Sequence, residues 1–180
     1  MPDLIHSLQG QDLGHLQIIA GLWGIGLEAK EGRAAADQLV SALLDSRLAE
    51  GVVVALPAEA KSALGDLLHN HGRLSWSLFT RRYGVVREMG AARRDRERPH
   101  VNPASPAEML WYRALVGRAF FDALTGPEEF AYIPDDLIPL LPALPVATPT
   151  VLGRPATPAE RAVTIPATDR ILDEACTLLA

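Results

Sequence analysis

The sequence contains a single cysteine, Cys176, in 180 residues. One thiol cannot form a disulfide within the chain, and it cannot supply the several cysteines of a zinc finger or zinc ribbon. The five histidines, at positions 6, 15, 69, 71 and 100, show no metal-binding spacing either. We therefore predict a fold that depends on its apolar core and holds no metal or other cofactor.

Long apolar runs and catalytic motifs are also missing. No run approaches the ~20 residues needed to span a membrane, and no basic and apolar leader opens the chain. The sequence has no GxSxG, no HExxH, no phosphate-binding Gly-rich loop and no Cys/His pair with catalytic spacing. These absences predict a non-enzymatic, cytoplasmic protein without a membrane partner.

Aromatic residues are few, at 6%, whereas the 48% of hydrophobic and 22% of charged residues are ordinary for a globular protein. The length suffices for one core or two small ones. Because aromatic residues are the largest apolar side chains, we interpret the following as core residues, not as platforms for nucleic-acid bases: Trp76, Phe79, Trp111, Phe120 and Phe121.

Positive charge is concentrated in residues 72–98, where eight arginines and three acidic residues give a formal charge of +5 in a chain of net charge −5. Arginine presents a fork of donors that matches phosphate oxygens, and neutralising DNA phosphates releases condensed counterions. We therefore predict sequence-tolerant contact with DNA through Arg81, Arg82, Arg87, Arg93, Arg94, Arg96 and Arg98. The alternative interpretation is that the alternating charges of RRDRER pair with one another, and that Arg81 or Arg87 pairs with core carboxylates.

Residues 1–50 predict a helical unit made of a helix, a short extended link and a second helix. This order resembles the SAP unit of DNA-binding proteins, and the resemblance implies DNA contact. The link, however, holds only Lys30 and Arg33, opposed by Glu28 and Glu31, so the alternative is a helical hairpin that caps the neighbouring core. The positions that carry the resemblance are Leu16, Ala20, Trp23, Gly24, Ile25, Leu27, Leu39 and Leu43.

Residues 51–142 predict a winged helix-turn-helix, after a possible short strand in VVVAL. Its helices begin near Ala58, Ser75 and Pro106, and a β-hairpin follows at residues 118–133 with its turn at TGPE. Residues 84–104 separate the second and third helices by far more than the three or four residues of a typical turn. The fold class predicted is mostly α with a small β-hairpin, α+β, in which the arginine-rich run is an insertion.

Prolines are concentrated towards the end of the chain, where residues 134–166 hold eight of the fourteen. We predict a Pro-rich linker or arm over residues 143–167 and a helix over residues 168–180. That helix reaches Ala180 without a stop signal, so a longer native chain is one interpretation.

Three runs carry a second resemblance: GRLSWSLFTRRYGVVREMG, SPAEMLWYRALVGRAFF and EFAYIPDDLIPLL. They are similar to the winged-helix region of bacterial helicase-associated proteins, which are related to the N-terminal parts of XPB-type DNA helicases. The nearest matches are residues 110–116 and 132–137. The resemblance implies a DNA-binding or DNA-processing accessory that works beside a helicase or a transcription or repair protein. The alternative is a protein–protein interaction module with a structural winged helix and no nucleic-acid binding.

Overall fold

A computed structural model describes residues 1–123 and 126–144, together with the isolated positions Thr157 and Ala159. Within these residues the chain forms eight α-helices and one three-stranded antiparallel sheet, so the predicted α+β class is confirmed. Residues up to Leu144 belong to a unit that spans Met1–Ala147. A second unit spans Thr148–Ala180, and the predicted C-terminal helix and most of the predicted Pro-rich arm lie outside the described residues.

The first three helices are α1 (Leu4–Leu8), α2 (Leu13–Trp23) and α3 (Gly32–Leu43). The Asp12 carboxylate caps α2 by accepting the backbone N–H of His15. Gly24 ends α2 with a φ of 69°, a left-handed conformation that glycine adopts without strain. The two predicted helices of this region are therefore confirmed as α2 and α3, and residues 25–30 between them form neither helix nor strand.

The predicted strand at VVVAL is wrong, because these valines belong to α4 (Ser46–Val54). Asp45 accepts hydrogen bonds from the N–H groups of Arg47 and Leu48 and so starts a helix. Ala49 and Val53, four residues apart, are then fully buried on one helical face. The cap and this spacing override the strand preference of the valines.

The next elements are α5 (Ala58–His69), β1 (Arg73–Ser75), α6 (Trp76–Tyr83), α7 (Ala91–Glu97) and α8 (Pro106–Trp111). The three predicted helix starts are confirmed, whereas β1 and α7 were not predicted. Residues 84–104 thus contain a helix of their own. The last helix ends at Trp111, because the chain turns there and Ala114 adopts a φ of 54°.

The sheet is completed by β2 (Gly117–Ala123) and β3 (Gly126–Tyr132), in the strand order β1-β3-β2. The predicted hairpin is confirmed, but its turn is not at TGPE. Gly126 and Pro127 are already part of β3, where they pair with Ala123 and Asp122. A short 3-10 helix, Ile138–Leu140, follows.

Residues 1–50 and the later elements contribute to one apolar core. Fully buried Leu16 and Leu39 belong to the same cluster as Leu110, Leu115 and Ile133. Hydrogen bonds also join the two regions: the Trp23 indole N–H donates to the Arg113 carbonyl, and the Leu4 N–H donates to Asp136. The boundary near residue 50 stays a prediction.

Candidate nucleic-acid interface

The arginine-rich residues 72–98 extend over four consecutive pieces of the fold: β1, α6, the segment 84–90 and α7. α6 carries Arg81 and Arg82 in its last turn, and α7 carries Arg93, Arg94 and Arg96. The surroundings of these side chains differ strongly. Some bind carboxylates and hold the fold together, while others project into solvent.

Arg87 forms the most enclosed ion pair of the region. Its Nε and Nη2 donate to the Glu108 carboxylate at 2.9 and 2.7 Å, and Glu108 is fully buried. The backbone N–H groups of Arg87 and Ala104 donate to the same carboxylate. Burial alone would raise the pKa of Glu108, but these hydrogen bonds outweigh it and lower the pKa below its usual value. Arg87 therefore fits the alternative interpretation, in which it pairs with a core carboxylate and has a structural role.

Arg94 is also structural, because only 4% of its surface is exposed. Its Nη1 and Nη2 donate to the two oxygens of Asp12 at 2.6 and 2.8 Å, which fastens α7 to the start of α2. The Arg94 hydrogen bonds lower the pKa of Asp12 to about 2. Gly14 makes this approach possible, since a Cβ at that position would lie 2.6 Å from Arg94 Nη2.

Arg82 and Arg93 occupy more exposed ion pairs. Arg82 donates to Asp66 at 2.7 Å, and the same carboxylate accepts the Tyr83 hydroxyl. Burial and this hydrogen bond raise the pKa of Tyr83 to about 12. Arg93 pairs with Glu97 one turn along α7, at 2.6 Å, so RRDRER does pair partly with itself. The exposed Arg93–Glu97 pair contributes only about 0–1 kcal/mol, whereas Asp66, the partner of Arg82, is buried.

The side chains of Arg81, Arg96 and Arg98 are exposed and make no hydrogen bond or ion pair with any residue in the described parts of the chain. The seven predicted DNA-contacting arginines therefore divide into two buried or half-buried anchors (Arg87 and Arg94), two exposed arginines held in ion pairs (Arg82 and Arg93) and these three unpaired, solvent-facing side chains.

One arginine outside the predicted set lies beside this region. The Arg118 guanidinium lies 5.0 Å from the centre of the Trp76 ring and pairs with Glu88 and Glu129. Sequence reasoning missed it because neither partner is near it in the chain.

A cavity of about 220 Å³ lies among these groups. Its lining includes His15, Trp76, Arg87, Arg94, Trp111 and Arg118. His15 is nearly buried and stacks on Tyr112 with ring centres 5.2 Å apart. Burial lowers the pKa of His15 to about 4, and the Arg94 charge adds to the effect. His15 is therefore neutral at pH 7 and adds no positive charge to the region.

The aromatic residues mostly agree with their predicted role. Phe79 is fully buried, and Trp76 and Trp111 are half-buried with ring centres 6.2 Å apart. Phe120 is the exception, because 70% of its surface is exposed on β2. The prediction that Phe120 is a core residue is wrong.

The described residues contain neither a cluster of metal-ligating side chains nor a membrane-spanning helix. Among residues 1–123 and 126–144, no three His, Cys, Asp or Glu side chains lie close enough together to hold a metal ion. Helices in the described part of the chain are all too short or too polar to cross a bilayer.

Comparison with known proteins finds no matching family model, no matching curated protein and no matching solved structure.

Proposed function

We propose that this protein is a non-catalytic DNA-binding or DNA-processing accessory built on a winged helix-turn-helix. The chain order α5, β1, α6, α8, β2, β3 supports this, because it gives three helices followed by a hairpin. The strand order β1-β3-β2 also supports it, since the strand after the first helix pairs with the hairpin. In this proposal β2 and β3 form the wing, and α7 is an insertion between the second and third helices.

The observation that carries the proposal is the contrast between fixed and free arginines. Arg87 and Arg94 fasten the inserted segment to α8 and α2. Arg96 and Arg98, on α7 and at its end, face solvent without a partner among the described residues, as does Arg81 on α6. Because the backbone that carries these arginines is already fixed, meeting a phosphate costs only the freedom of the side chains themselves, which favours binding.

The number of unpaired arginines sets the expected strength of DNA binding. Each phosphate neutralised contributes a slope of about −0.9 to the logarithmic salt dependence of duplex binding. Three arginines therefore support weak, sequence-tolerant and strongly salt-dependent binding. Base recognition has no candidate residue in this proposal, because α8 is six residues long and its Ala107, Glu108 and Leu110 are buried.

The resemblance to helicase-associated proteins suggests which class of protein acts together with this one on DNA. It implies a helicase, or a transcription or repair protein, as the partner that supplies the chemistry. The absence of an enzymatic activity and of a cofactor stays a prediction.

A charge-reversal experiment tests the proposal. We expect R81E/R96E/R98E to weaken binding to duplex and single-stranded DNA by at least about tenfold at low salt and to flatten the salt dependence. The control is K30E/R33E/R47E, which changes the net charge equally at exposed positions with no ion pair among the described residues. Thermal melting of both variants verifies folding. The proposal fails if the wild type does not bind at low salt, or if both variants weaken binding equally.

A second candidate function is a protein–protein interaction module with a structural winged helix. The observation that favours it is the surplus of acidic residues in the N-terminal part, where Glu31, Asp37, Glu50 and Glu59 are exposed without an ion-pair partner among described residues. A basic protein surface would complement them. This candidate would be favoured if the protein bound a purified basic protein and showed no DNA binding. Charge reversal of these four acidic residues should then abolish the binding of that basic protein.

A further inference from the structure

The strand β2 lies at an open edge of the sheet. On one side it pairs with β3 over seven residues, from Gly117 opposite Tyr132 to Ala123 opposite Gly126. On its other side it makes no backbone hydrogen bond to any residue that the structure describes. An edge strand of this length offers a row of free N–H and C=O groups on which a further strand can pair.

Three side chains share one face of this edge: Arg118, Phe120 and Asp122, two residues apart along the strand. Phe120 is 70% exposed, the largest value for a large hydrophobic residue in the described part of the chain. Asp122 is exposed and has no hydrogen bond or ion pair with described residues. Arg118 uses Nε for Glu129 and Nη1 for Glu88, which leaves Nη2 free.

We propose that β2 pairs with β2 of a second copy of this chain, antiparallel and with the two-fold axis at Phe120. In this register Arg118 of each copy lies opposite Asp122 of the other, and the two Phe120 rings meet at the centre. Opposite charges and aromatic pairs at directly facing positions are the cross-strand contacts that stabilise antiparallel sheets. Two three-stranded sheets would thereby become one six-stranded sheet.

The order of charges along β2 selects both the partner and the register. The face reads positive, apolar, negative, and antiparallel pairing reverses that order on the facing strand. Arg118 already pairs with Glu88 and Glu129, so its contact with the facing Asp122 is made through the free Nη2. Only the register centred on residue 120 matches both charged ends at once. A shift by two residues would oppose Phe120 to a charged residue, and parallel pairing would place like charges side by side. A closed two-fold dimer is the commonest symmetric assembly of soluble proteins.

The proposed dimer is weak, because one strand with three contacting side chains buries less surface than the ~1,200 Å² of standard stable interfaces. It therefore depends on protein concentration. The inference does not rest on the proposed DNA binding, since Arg81, Arg96 and Arg98 take no part in it.

Sedimentation analysis of the full-length protein from about 1 µM to about 1 mM tests the dimer. We expect a reversible monomer–dimer equilibrium. D122R opposes arginine to arginine at two symmetric places, so it should raise the dimer Kd by roughly tenfold or more. E128R is the matched control, because Glu128 is an equally exposed acid of the hairpin that lies on the central strand β3. A wild type that stays monomeric, or an E128R effect as large as that of D122R, overturns the proposal.

Disulfide trapping tests the register. In a C176S background, F120C places two thiols at the two-fold axis, and mild oxidation should give a covalent dimer. D122C places the two thiols about 13 Å apart, at 3.3 Å per residue, so it should not link. Equal linking of both variants would show random collision or another register. Linking of F120C to a different protein, without a homodimer, would assign this edge to another partner.

Discussion

His15 shows how a single buried residue links stability to pH. The ring stacks on Tyr112 and is faced by the charges of Arg94 and Asp12 and by His100. Its pKa is lowered from 6.5 to about 4, chiefly because burial disfavours the charged form. Between these two values the unfolded chain binds a proton that the folded protein does not. Folding stability must therefore fall as the pH decreases across this window.

We predict that the wild-type protein loses on the order of 3 kcal/mol of unfolding free energy between pH 6.5 and pH 4 through this group. His15→Phe keeps a ring against Tyr112 and cannot titrate, so it should remove most of that loss. Urea unfolding at several pH values measures the slope. His69→Gln, at an exposed position of α5, is the control. The Asp12 carboxylate loses its own contribution at lower pH, between about 4 and 2, which separates the two effects.

The arginines mark the limit of sequence reasoning at this scale. The composition of residues 72–98 revealed a basic segment, and alternation of charge correctly indicated the Arg93–Glu97 pair. The sequence could not show that Arg94 is buried and Arg96 exposed, because burial of Arg94 depends on Asp12, 82 positions away. A residue's neighbours in the chain predict local pairs, whereas its role in the fold depends on partners that only folding brings near.

Caps determine where several helices begin, and α8 offers the clearest case. The Ser105 hydroxyl accepts the Glu108 N–H at 3.0 Å and donates to the Val85 carbonyl at 2.8 Å. It thereby caps α8 and holds the start of segment 84–90 against it. Gly84 makes room for this contact, since a Cβ there would lie 2.5 Å from the Ser105 Cβ.

We predict that Ser105→Ala lowers the unfolding free energy by about 2 kcal/mol, because it removes both the helix cap and the hydrogen bond to the Val85 carbonyl. Ser75→Ala is the matched control: Ser75 precedes α6 but makes no side-chain cap. It should change stability by less than about 0.5 kcal/mol. Urea denaturation at pH 7 measures both. Equal losses would mean that the Ser105 hydroxyl is not specially placed.

The starts of helices were easier to predict from the sequence than the existence of β1 and α7. Start signals are local, so the starts of α5, α6 and α8 could be read from Pro57, Ser75 and Ser105, although of these three only Ser105 makes a side-chain cap. The strand β1 has only three residues and exists because it pairs with β3, which lies far along the chain. The helix α7 has no apolar stripe and depends on the Arg94–Asp12 contact. Elements that are stabilised mainly by distant partners leave little periodic signal.

At the scale of the whole molecule, residues 1–50 and 51–142 were predicted as separate units, yet their buried side chains form one cluster. Leu39 of α3 and Leu110 of α8 are both fully buried in the fold. Hydrophobic spacing identified each set of core positions correctly but cannot indicate whether two sets pack together. If they do form one cooperative unit, a defect in one region must destabilise the other.

Leu39→Ala tests this coupling. A buried Leu→Ala change costs about 2–5 kcal/mol, so amides of β3 that exchange only through global unfolding should exchange roughly 30-fold faster or more. Hydrogen exchange at Ala131 and Tyr132, far from the substitution in sequence, measures the effect. Val54→Ala removes aliphatic atoms from an exposed position of α4 and should leave exchange nearly unchanged. Unchanged exchange in β3 of the Leu39→Ala protein would support the predicted boundary near residue 50. Faster exchange in both regions means that the N-terminal helices help to stabilise the elements that carry Arg81, Arg96 and Arg98.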